Sequence, residues 1–77
     1  MIVRTLDARG LSCPLPLIRA RRALSALAAD ETLVVLATDP EAPIDLAALA
    51  ADEGLHFAHE QRGGEWRITL TKGAVGR

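Results

Sequence analysis

With 77 residues, 49% of them hydrophobic, the chain reads as one small domain spanning 1–77, near the lower size limit for a self-sufficient core. A chain this short has no room for a deep enclosed pocket, which argues against an enzyme that engulfs its substrate, and one cysteine excludes an internal disulfide. The net charge of −1 conceals an asymmetry: Arg4, Arg9, Arg19, Arg21 and Arg22 face only Asp7 in the first 22 residues, whereas residues 23–61 hold eight acids and no Lys or Arg.

The predicted elements follow in chain order. Residues 2–7, IVRTLD, alternate loosely and suit a short strand. Beyond Cys13, the residues Leu17, Ala20, Leu24, Leu27 and Ala28 recur at helical spacing, which predicts a helix from Pro14 to Ala28 or Ala29. Residues 32–38, TLVVLAT, are β-branched and apolar on both faces, as an interior strand requires. DPEAP then makes a turn into a second helix. Asp45 lies in its first turn, Ala42, Leu46, Leu49 and Ala50 form its packing stripe, and Gly54 stops it. LHFAHEQ and EWRITLT read as two strands joined at RGG, a hairpin loop with glycine where positive φ is needed. Residues 72–77 are expected to fray.

This order predicts an α/β (α+β) two-layer βαβαββ sandwich. Two helices cannot cover both faces of a four-stranded mixed sheet, so both are expected on one face. The first two strands should be parallel, joined through the first helix.

The stretch GLSCPLPLIRARRAL, residues 10–24, carries the functional case. If the helix begins at Pro14, the N–H groups without an intrahelical partner are those of Cys13, Pro14, Leu15 and Pro16. Proline is tolerated there because it lacks a group that would be unsatisfied anyway. Cys13 would then be the N-cap. A thiolate accepts the Leu15 N–H and feels the helix dipole, so this geometry predicts a thiol pKa below the ordinary value. The plain alternative is a small apolar residue tucked into a helix end.

LDARGLSCPLPLIRARRAL resembles the opening of the TusA (SirA-like) sulfur-carrier family, whose hallmark is Cys-Pro-x-Pro at the start of the first helix. The likeness continues through LVVLATDP, Asp45, EGLHF and GGEWRITLTK. The resemblance implies a sulfur carrier that is a sulfurtransferase only as a relay, holding sulfane sulfur as a persulfide on Cys13. A cysteine desulfurase or rhodanese-type donor would supply the sulfur, and a downstream thiol-bearing acceptor would take it into tRNA thiolation, molybdenum-cofactor synthesis or sulfur oxidation. No stand-alone turnover of a small molecule and no cofactor is implied. Some relatives carry a second cysteine in the second helix, but Ala50 and its neighbours offer none, so sulfur must leave by attack from a partner's thiol. The glycine that commonly precedes the second strand is also missing, a change expected to touch only the loop.

Pro14, Leu15 and Pro16 are expected to shape the presenting surface. Arg9 could approach the sulfur or stand solvated in the loop. Arg19 and Arg22 fall off the apolar stripe and should be exposed, to dock an acidic partner or to aid solubility. Asp39-Pro40 reads as a turn device. His56 and His59 sit three apart on a strand, hence on opposite faces, and with one cysteine and no third ligand nearby no metal site is expected. Phe57 and Trp66 read as core. The near-neutral charge and acidic middle disfavour direct nucleic-acid binding. No secretory h-region and no run of 18 apolar residues appears, so the expected setting is the cytoplasm, with no membrane contact. The alternative to a carrier is a non-catalytic regulatory or adaptor module using Cys13 as a redox-sensitive contact.

Overall fold

The computed structural model describes residues 3–28 and 30–72. Its elements are β1 (Val3–Ala8), α1 (Leu15–Ser25), β2 (Thr32–Ala37), α2 (Ala42–Glu53), β3 (His56–Arg62) and β4 (Glu65–Thr71). They form one mixed sheet in the order β1-β2-β4-β3. β1 and β2 run parallel, and β4 runs antiparallel to both β2 and β3. The expected fold class is therefore the one observed.

Alternation along the strands decides which face the helices cover, because successive side chains point to opposite sides. Leu33 and Val35 from β2 and Ile68 and Leu70 from β4 lie on one face and are buried with Leu24 of α1 and Leu46 of α2. Both helices thus pack on that single face. Val34 points the other way but is only 4% exposed, as an interior strand allows, with Thr5 and Thr69 beside it in register. Phe57 and Trp66 are half-buried against the core, in line with their sequence reading. Among the described residues no helix is long and apolar enough to cross a membrane.

α1 ends at Ser25, earlier than its apolar spacing suggested. The Ser25 hydroxyl donates to the Arg22 carbonyl at 2.7 Å, and the chain then tightens, with the N–H groups of Ala26 and Leu27 reaching Ala23 and Leu24 at 3.1 Å. Glu31 fastens the exit by accepting the Ala28 N–H at 2.9 Å. That hydrogen bond, with Arg4 at 3.3 Å, holds its carboxyl below the usual range. Lys72, expected to fray, is instead anchored: its ammonium donates to the carbonyls of Leu24 and Leu27 at 2.9 Å each. Leu24 lies in the last turn of α1 and Leu27 just beyond it, so the ammonium caps the end where the helix dipole favours a cation. Ala29 and residues 73–77, the rest of the expected helix end and tail, lie outside the described residues.

α2 matches its reading closely. Ala42, Leu46, Leu49 and Ala50 are buried, and Gly54 ends the helix in the left-handed conformation at φ 68°. Gly63 turns the β3–β4 hairpin at φ 62°.

Candidate functional site: a thiol between two acidic side chains

Parallel neighbouring strands end at the same edge of a sheet, so the loops that follow them meet. Ala8 and Ala37 pair at the ends of β1 and β2. The loop carrying Cys13 therefore lies against the loop carrying Asp39 and Glu41. Two hydrogen bonds join them: the Gly10 N–H donates to the Thr38 hydroxyl at 2.9 Å, and the Cys13 N–H donates to Asp39 Oδ2 at 2.7 Å. Asp39 Oδ1 also accepts the Glu41 N–H at 2.9 Å. One carboxylate thus makes the turn into α2 and holds the backbone of Cys13. Both bonds stabilise its anion and lower its pKa. Asp39 is the turn device expected from sequence and a site residue as well.

The helix start differs from expectation. Pro14, not Cys13, is the N-cap, with φ −101° and ψ 20°. The Leu15 N–H donates to the Ser12 carbonyl at 2.8 Å, so it is not available to the sulfur. The Cys13–Pro14 peptide bond is cis. Cys13 is exposed, and its thiol donates to Asp45 Oδ2 at 3.0 Å. One carboxylate oxygen of Asp45 and one of Glu41 lie within 4.8 Å of each other and of the sulfur.

This neighbourhood reverses the expected direction of the thiol pKa. The hydrogen bond to Asp45 comes first, then desolvation and the Asp45 charge, with Glu41 adding less, and together they push the Cys13 thiol up to about 12. A negative neighbour disfavours a second anion beside it, and a hydrogen bond donated by the thiol favours the protonated form. The helix N-terminus that was expected to ionise the sulfur is outweighed by two acids from the other helix. The reading that found no third ligand looked to the two histidines, whereas the fold sets two carboxylates, those of Glu41 and Asp45, beside Cys13.

Arg9 is engaged elsewhere. Its guanidinium meets both oxygens of Asp7 at 2.9 Å and Glu65 at 3.4 Å. The Arg9 hydrogen bonds draw the Asp7 pKa down to about 2 and raise that of Arg9. Residues two apart on an extended segment share a face, which was the available signal for this pair. Pro14 and Leu15 are exposed beside the thiol, whereas Pro16, expected on the same surface, is fully buried at the helix start. Ile18 is 47% exposed and, with Leu6, Leu15 and Ala23, lines an open groove bordered by the exposed Arg19 and Arg22. His56 and His59 do lie on opposite faces. His59 stacks obliquely between Phe57 and Trp66, at ring separations of 5.4 and 5.6 Å.

Fold and site together define a small two-layer α/β protein that presents a single exposed thiol on a loop pinned at the carboxyl ends of two parallel strands. Residues 4–72 match the family described as Sulfurtransferase TusA, and the chain belongs to it. The sulfur carrier protein TusA of Allochromatium vinosum is 38% identical over 68 residues, covering 87% of this chain and 90% of its own. A Neisseria meningitidis relative is 48% identical over 61 residues, 77% of this chain and 82% of its own. The crystal structure of a SirA-like protein from Desulfitobacterium hafniense superposes with a TM-score of 0.83 at 31% identity, covering 94% of this chain and 99% of that one.

Proposed function

We propose that this protein carries sulfane sulfur as a persulfide on Cys13, taking it from a cysteine desulfurase or rhodanese-type donor and passing it to a thiol-bearing acceptor protein in the cytoplasm. The observation that carries this reading is the exposed thiol at the loop junction of a chain whose relatives include a named sulfur carrier.

In loading, Cys13 Sγ attacks the outer sulfur of the donor's persulfide. The Sγ–S bond forms as the donor's S–S bond breaks, and the electron pair leaves with the donor sulfur, which takes up the proton given up by Cys13. In unloading, the acceptor's thiolate attacks the outer sulfur on Cys13, and Sγ departs as thiolate and regains a proton. Each step exchanges one S–S bond for another, so no external oxidant or reductant is needed. With no second cysteine in the chain, release waits for the partner.

Incubation with a desulfurase and free cysteine is expected to add about 32 Da to the intact protein, the mass of one persulfide sulfur, removable by dithiothreitol. An unchanged mass would leave Cys13 as a contact residue of a regulatory or adaptor module.

Arg19 and Arg22, exposed beside Leu15 and Ile18, fit docking of an acidic partner surface. Reversing both to Glu is expected to weaken association with the donor several-fold at low ionic strength. The loss should shrink as salt rises, since the Debye length is about 10 Å at 0.1 M. Titration calorimetry across a salt series checks this, and unchanged affinity at low salt would return both arginines to a solubility role.

A further inference from the structure

α2 presents a second surface, opposite in charge to that of α1. At about 100° per residue, Glu41 and Asp45 fall on the flank of α2 toward Cys13. Pro43 and Ala47 fall on the other flank, with Ile44 on the crest between them. Ile44 is 68% exposed, the most exposed of the large apolar side chains in the described residues. Beyond it, Pro43, Ile44, Ala47, Phe57, His59 and Trp66 line an open, mainly apolar groove between α2 and the β3–β4 hairpin. Three aromatic rings stand in series along its floor. The acids stand on the crest's other side, where Glu41 and Asp45 neighbour Cys13, while the hairpin wall carries Arg62 and Arg67 together with Glu60 and Glu65.

From this juxtaposition we infer that the groove docks a segment of a sulfur-exchange partner that combines apolar side chains with Lys or Arg. The apolar side chains cover Ile44 and the groove, while the cation meets Glu41 and Asp45 on the crest's other side. The inference rests on the carrier reading and deepens it. A cation seated at Glu41 and Asp45 offsets the negative field that keeps the Cys13 sulfur protonated, so docking and activation of the thiol become one event. An undocked carrier keeps its sulfur protonated and slow to react.

Trp66 is the only tryptophan in a chain without tyrosine, so its fluorescence reports the groove directly. The probes are two capped pentapeptides, Leu-Lys-Leu-Lys-Leu and Leu-Glu-Leu-Glu-Leu, titrated into the full chain at low salt. The lysine peptide is expected to shift Trp66 emission saturably and the glutamate peptide to leave it unchanged. Ile44→Ser, and separately the pair Glu41→Gln with Asp45→Asn, should each weaken the lysine peptide roughly threefold, as expected for one exposed contact or ion pair. Circular dichroism checks that each variant is folded. At saturation the lysine peptide should speed alkylation of Cys13 by iodoacetamide in the parent and not in the paired variant. The inference is overturned if neither peptide gives a saturable response, if both give the same one, or if the lysine peptide binds without changing the alkylation rate. Sulfur loading is scored separately by mass, so failure here leaves the carrier reading standing.

Discussion

Replacing Cys13 by Ser is expected to abolish sulfur relay while leaving the fold unchanged. The serine hydroxyl is smaller than the thiol but donates a hydrogen bond in the same direction, so the contact with Asp45, 3.0 Å from the sulfur in the parent, has a replacement. The backbone bond from residue 13 to Asp39 does not involve the side chain and persists. Cys13 is exposed, so no core volume is lost, and surface substitutions of this kind shift stability by about 0.5 kcal/mol or less. A reconstituted relay from a labelled-sulfur donor to an acceptor, with circular dichroism on the same sample, checks both halves. Parental transfer by the serine variant would mean that sulfur does not travel through residue 13.

Asp45→Asn should change reactivity as strongly in the other direction. The parent thiol, pushed up to about 12 by its hydrogen bond to Asp45 and the charges of Asp45 and Glu41, is almost wholly protonated at neutral pH. Without the Asp45 charge, the midpoint of the pH profile of iodoacetamide alkylation should fall toward the ordinary thiol value. Below both midpoints, each unit of that fall raises the thiolate fraction about tenfold. A thiolate of lower pKa is less nucleophilic, which takes back part of the gain. Glu41→Gln should act in the same direction but less, since Asp45 makes the leading contribution. The linkage has a definite sign. A thiol pKa raised by folding means that the native state holds its proton longer than the unfolded chain. The associated stability is present below the unfolded thiol pKa of about 8.5 and fades as pH rises toward the folded value. An unchanged midpoint in Asp45→Asn would show that the thiol–carboxylate contact does not govern reactivity.

Most of the fold was legible because it follows from periodicity. The doubly apolar run of β2 marked an interior strand, and the stripe of Ala42, Leu46, Leu49 and Ala50 marked the buried side of α2. Those patterns report burial against many neighbours and survive local detail. The helix ends were less legible, because single hydrogen bonds decide them: Leu15 to Ser12 at one end of α1, Ser25 to Arg22 at the other. At the site, Cys13 was visible from its motif, yet its chemical surroundings were not. Asp45 was read as an acid favoured by the dipole of its own helix, although its nearest chemical neighbour lies 32 residues away. The signal was nonetheless available. Two strands expected to be parallel and adjacent must bring CPLP and DPEAP to the same end of the sheet, so the acids of the second loop belong beside the thiol of the first. Of the two places open to Arg9, the exposed loop is the one it takes, because a partner two residues away competes successfully with the sulfur four residues away.

The double tie between the two loops, Gly10 to Thr38 and Cys13 to Asp39, also bears on how partners tell a charged carrier from a spent one. Both ties use backbone donors and leave the sulfur out, so gaining or losing an atom at Sγ loosens neither. On the carrier reading, the two forms share this loop junction and differ at the sulfur itself, where a loaded Sγ has no proton left to donate to Asp45. A partner would then sense cargo at that spot, through the outer sulfur and the Asp45 carboxylate beside it. Donor and acceptor would each bind both forms with similar affinity, and the direction of traffic would be set by the chemistry of the partners' own sulfurs.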